Sequence, residues 1–158
     1  MPLFAVDVAG LLPEKASFLP AFVWVGAVPA ALIWGVFSDY YSSLKIILFL
    51  SLAMIPIVFA ITLPFPLLAI FPLVIALGFC ISGAWVSQNM WLSRVTTEKV
   101  RGKIFGGTLS LISVANIFSP VFFGFLADTW GLVAAYRLVL LPMLIASVLL
   151  GKLARKDH

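Results

Sequence analysis

Charge is what this sequence has least of: 10% of its 158 residues are Asp, Glu, Lys or Arg, against 63% hydrophobic. Histidine occurs once, as the terminal His158, so neither a His-based catalytic pair nor a metal cluster can be assembled from it. Cysteine also occurs once; Cys80 excludes an internal disulfide, and in mid-run among apolar neighbours it reads as a small packing residue. No glycine loop ends in Lys followed by Ser or Thr, as cradling a phosphate would require. The net charge of +4 comes from basic residues in short loops, with no basic face carrying interleaved aromatics, which argues against a nucleic-acid partner. The first apolar stretch has no basic n-region, carries Asp7 and precedes no small-residue cleavage site, so it does not read as a signal peptide. Neither an enzyme nor a bound cofactor is expected.

What is present in quantity is uninterrupted apolar sequence. No Asp, Glu, Lys, Arg or His occurs from Ile46 to Ser93, and none from Ile104 to Ala127. Between them lies Arg94-Val-Thr-Thr-Glu98-Lys99-Val-Arg101-Gly102-Lys103, polar punctuation between membrane spans. The first run, as one helix at about 1.5 Å per residue, would measure about 72 Å, more than twice the hydrocarbon core. Pro64-Phe65-Pro66 supplies the break, because proline removes a donor and disfavours helix before it. The expected fold is all-α, a polytopic transmembrane bundle over residues 17–151 with five spans at 17–38, 46–63, 67–91, 104–127 and 132–151. Residues 1–16 read as the end of a truncated helix and an outer loop, and 152–158 as a tail.

Orientation follows from the basic residues. Lys45, Arg94, Lys99, Arg101, Lys103, Lys152, Arg155 and Lys156 fall on one side; Lys15 and Arg137 fall on the other. Such an excess marks the cytoplasmic face, which puts the C-terminus inside a multi-pass protein of the cell (inner or plasma) membrane. Asp39 and Asp128 then lie at opposite faces, which rules out an aspartyl dyad. Arg137 falls within the last span, near its outer end, where its stem can snorkel or its charge can meet Asp128 across the turn.

Two stretches share a plan. Gly35-Val-Phe-Ser-Asp39 ends the first span and Gly124-Phe-Leu-Ala-Asp128 the fourth, with Gly131 following in the second case. A glycine four residues before the aspartate lies on its helix face and lets another helix approach closely. The aspartate can accept from the next helix's backbone donors or meet a cation across the loop. At these residues the chain resembles the major facilitator superfamily (MFS), whose twelve helices form two six-helix halves. That family's loop signature is Gly-x-x-x-Asp followed by basic residues and glycine. Gly35, Asp39 and Lys45 match it, while Tyr40 and Ser42 replace a basic residue and a glycine. Arg101-Gly102 ahead of Gly106 and Gly107 is similar to the loop before the fifth or eleventh helix. Ser119-Pro120, Gly124, Asp128 and Gly131 resemble the end of that helix. The fuller Asp-Arg-x-Gly-Arg-Arg loop and the fourth-helix arginine usual in the N-terminal half are both missing. The resemblance therefore implies helices eight to twelve with the tip of seven, a partial half and hence a fragment of a transporter or a truncated reading frame.

It further implies that the third span here lines a central cavity. That span carries Ser82, Trp85, Gln88 and Asn89, with Ser82, Trp85 and Asn89 at i, i+3, i+7. Hydroxyl, indole and carboxamide together can hold a neutral polar solute. Hydrogen bonding between helices and an interfacial Trp would use the same residues. Ser113 and Asn116 occupy the fourth span, and an amide in lipid is costly enough that Asn116 is expected to face protein or cavity. Asp7 could guard the outer mouth or couple a cation, or simply be solvated at a helix end. The resemblance implies part of a secondary active transporter that moves a small solute by alternating access. Its partners would be the bilayer, the solute and the missing transporter half. The alternative is a non-transporting membrane fragment or partner subunit packed against a full transporter.

Overall fold

The computed structural model describes residue 14 and residues 17–63 and 67–156, and it is helical throughout them apart from short links. Asp7, most of the expected helix end over 1–16, and the Pro64-Phe65-Pro66 break lie outside the described residues. From residue 17 onward the described helices are, in order, α1 Leu19–Tyr40, α2 Ser43–Ile61, α3 Leu67–Val95, α4 Glu98–Trp130, α5 Leu132–Leu138 and α6 Leu140–Lys156. Among the described residues five segments are long and apolar enough to cross a membrane, α5 and α6 serving together as the fifth.

The helices run beyond the charge-free stretches. α4 takes in Glu98, Lys99, Arg101 and Lys103, because these side chains favour helix and a span need not unwind at the lipid surface. Glu98 in its first turn complements the helix dipole. Its far end stops at Gly131, whose φ of 84° is the left-handed region that glycine adopts freely. The last span breaks at Val139 for a local reason. Pro142 has no N–H to offer the carbonyl of Leu138, and its ring crowds that carbonyl.

α1 and α2 are joined by only Tyr41 and Ser42, and both pack on α3. Ile46, Leu50 and Cys80 form one buried cluster between α2 and α3, with Trp34 of α1 against it. Ile61 and Leu77 form a second, towards the other end, joined by Leu132, Val133 and Tyr136 of α5. α6 returns to pack on α2. α4 differs from the rest in that none of its residues is buried. Its main neighbour is α5, through an edge-on Phe123–Tyr136 ring contact at 4.9 Å.

Candidate functional site

The first set of polar residues gathers where α1, α2 and the C-terminal end of α3 meet. Ser38 and Ser87, both fully buried, share a hydrogen bond of 2.9 Å between their hydroxyls, tying α1 to α3. Two turns further along α3, Arg94 reaches back across the α1–α2 corner. Its Nη2 donates to the Ser38 carbonyl at 2.6 Å and lies 3.4 Å from Asp39 Oδ1, while Nη1 donates to Ser43 Oγ at 3.5 Å. The last carbonyls of a helix have no partner within it, and a guanidinium satisfies one while opposing the negative end of the dipole. Arg94 therefore holds the end of α1, the acid beside it and the start of α2 with one planar group. Arg101 caps α3 in turn, its Nη2 donating to the Ser93 carbonyl at 3.1 Å. The cation that meets Asp39 is thus Arg94, which sequence reasoning placed in the loop but not among the site residues. The available signal was that Arg94 ends the span returning to the face where Asp39 sits. Lys45 is exposed on the first turn of α2.

The second set lies along α3 and α4. Ser82, Gln88 and Asn89 are half-buried on α3, and Trp85 is 40% exposed. Ser113 and Asn116 are exposed on α4. Ser110 satisfies itself by donating to the Gly106 carbonyl at 2.9 Å, whereas Ser113 and Asn116 have no hydrogen-bond partner among the described residues. The two groups are not drawn together: among the described residues no hydrogen bond joins Ser82, Trp85, Gln88 or Asn89 to Ser113 or Asn116, and α4 leans on α5 rather than α3. Between them is a groove of about 540 Å³ whose walls include Leu77 and Ile81 of α3, Phe123 of α4 and Tyr136 of α5. Helical periodicity carries Ile81 to Trp85 and Gln88 on one stripe, and Phe123 back to Asn116 on another. The groove is apolar, and the polar residues continue its two walls towards the Arg94 end.

A family model described as Major Facilitator Superfamily matches residues 1–158. The chain belongs to this superfamily. Its members are transporters rather than enzymes, and the five span-length helices make this one a multi-pass membrane protein of transporter type. No curated protein and no solved structure matches it.

In this superfamily member the glycines at which helices approach closely among the described residues are not the two in the repeated Gly-x-x-x-Asp plan. A Cβ on Gly35 would meet only Val86 Cγ1 at 4.0 Å, an ordinary contact, and one on Gly102 or Gly124 would meet nothing within 4 Å. The tight positions are Gly26 and Gly78, where α1 and α3 touch backbone to backbone, and Gly83, which is covered by the Trp34 indole and Leu50. The Arg137–Asp128 pairing is also absent. Arg137 Nε donates to Thr62 Oγ1 at 3.4 Å and its guanidinium lies over the Phe59 ring at 5.7 Å, while Asp128 is exposed at the end of α4. The reason is geometric: both lie near Gly131, but α5 packs on α2, so its arginine points to the end of that helix.

Proposed function

We propose that this chain is the C-terminal-half region of a secondary active transporter, corresponding to helices eight to twelve with the tip of seven. It moves a small solute by alternating access, the two halves rocking about a site near the midplane. The bundle over residues 17–151 is the transporting unit, with residues 1–16 ahead of it on the outer side and 152–158 as a cytoplasmic tail. Basic residues concentrated on the Arg94 side support a cytoplasmic C-terminus in the cell membrane. Gly35, Asp39, Lys45, Arg101 and Gly102 form the cytoplasmic latch with Arg94, and Gly124, Asp128 and Gly131 the corresponding turn at the outer face. Ser82, Trp85, Gln88, Asn89, Ser113 and Asn116 line the cavity.

The observation that carries this reading is the bareness of α4. A helix apolar enough to span the membrane exposes Asn116, with no partner among the described residues. An amide is costly to leave in lipid, and a cavity wall completed by the other transporter half relieves that cost. The test uses the assembled transporter in a Cys80→Ser background. With Asn116→Cys, a small impermeant thiol reagent should react from the outer face in one state and from the cytoplasmic face in the other. Reaction from neither face would show α4 sealed against protein or lipid, and the alternating-access reading would fail.

A further inference from the structure

A second groove, of about 620 Å³, runs between the last third of α4 and the α5–α6 corner. Phe122, Leu126 and Trp130 form one wall, Leu138, Leu141 and Pro142 the other. Its α4 wall extends from Ser119 to Trp130, about 16 Å at 1.5 Å per residue, close to half of a hydrocarbon core of about 30 Å. The groove is therefore one leaflet deep. At its outer end, Trp130, Leu138 and Leu141 also border a space of about 550 Å³ lined by Arg137.

Arg137 is exposed, and its Nε is engaged by Thr62, but its Nη donors have no partner and no carboxylate pairs with it among the described residues. Thr62 is the C-terminal cap of α2, which sets the guanidinium at the level where helices leave the hydrocarbon. Trp130, at the end of α4, is the side chain that favours this depth. A planar cation with free paired donors matches a phosphate, and an apolar trough one leaflet deep matches an acyl chain. A free phosphate would leave the trough unused. We propose that this groove and Arg137 bind one anionic phospholipid of the leaflet opposite the Arg94 loop, phosphate on the guanidinium and one chain along α4.

The test is native mass spectrometry of the delipidated full chain, titrated with phosphatidylglycerol, phosphatidylcholine or soluble glycerol phosphate. Wild-type protein should retain one phosphatidylglycerol in preference to phosphatidylcholine, and glycerol phosphate should not displace it. Arg137→Gln should weaken retention by about tenfold, the loss of charge-assisted hydrogen bonds. Leu138→Trp, which keeps the charge and fills the trough, should weaken it as well, and it still decides the matter if Arg137→Gln does not fold. Lys99→Gln, at the opposite end of α4, should change nothing. Circular dichroism on each variant establishes that the fold persists. Equal retention by a folded Arg137→Gln or by Leu138→Trp would overturn the proposal. So would equal binding of phosphatidylcholine, displacement by glycerol phosphate, or an equal loss in Lys99→Gln.

Discussion

Gly26 and Gly78 occupy one helix crossing from opposite sides: a methyl on Gly26 would collide with the Ile75 carbonyl, and one on Gly78 with the Val23 carbonyl. Each glycine thus sits over the turn that precedes the other. In lipid the apolar tails compete for every side chain, so association depends on close van der Waals approach of this kind. The crossing holds α1 against α3 and so sets where Ser38 meets Ser87.

Substitution tests the crossing directly. Gly26→Ala and Gly78→Ala should each destabilise the purified chain by about 1–3 kcal/mol, the usual cost of overpacking where the obstacle is backbone. Gly124→Ala is the contrast, since nothing lies near its would-be Cβ. It should hold or gain stability, because alanine favours helix by about 1 kcal/mol. Thermal melting in one detergent ranks the three, and a Gly26→Ala protein that melts like wild type would contradict the backbone contact.

The Arg94 corner should separate stability from rate. The Arg94–Asp39 ion pair has side chains 45% and 63% exposed at 3.4 Å, a geometry worth under about 1 kcal/mol. Asp39→Asn is therefore expected to melt within a few degrees of wild type while slowing transport in the parent transporter much more than it weakens binding. Arg94→Ala also gives up the 2.6 Å bond to the Ser38 carbonyl and should melt lower than Asp39→Asn. The reverse order of melting would place the stabilisation in the ion pair instead.

Topology is open to labelling in intact cells. In a Cys80→Ser background, Asp128→Cys should react with an impermeant thiol reagent added outside, and Lys99→Cys and Lys152→Cys should not. Outside reactivity at Lys99→Cys would invert the orientation and exchange the roles of the two loops.

Binding variants test the proposed assembled transporter. Trp85→Ala and Asn116→Ala are expected to weaken solute binding about 2- to 12-fold, equivalent to about 0.5–1.5 kcal/mol for a lost neutral hydrogen bond. Both side chains are open, so melting should be nearly unchanged. Ser87→Ala should do the opposite, because it strands the buried Ser38 hydroxyl. Isothermal binding and melting on the same preparations distinguish them. Lower melting with intact affinity for Asn116→Ala would make it a packing residue.

The spans were readable because exclusion of charge is a one-dimensional signal, visible over Ile46–Ser93 without knowing what packs where. Local spacing likewise exposed Gly35 with Asp39. What decided the interior was different in kind. Gly26 and Gly78 are fifty-two positions apart in the sequence, and nothing in either neighbourhood names the other. Arg94 stood in the polar loop as one basic residue among several, and only the return of α3 alongside α1 singles it out. The break at Val139 lies one turn before Pro142, but Pro29, Pro56, Pro72 and Pro120 sit inside unbroken helices, so a proline in an apolar run did not single it out. The two halves of the expected cavity sit on α3 and α4, and their meeting depends on contacts that α4 does not make among the described residues.

That bare helix also divides the chain in time. Everything α1 needs in order to lock onto α3 is present once Val95 has been made, since the glycine crossing and the Ser38–Ser87 bond lie wholly before it. At a synthesis rate of about 5–20 residues per second, the remaining 63 residues take several seconds more. A cysteine pair introduced at positions 38 and 87 should therefore cross-link in chains stalled on the ribosome once α3 has reached the bilayer, with α4 still unmade. The early helices enter as a finished block, and α4 arrives late with its face unclaimed.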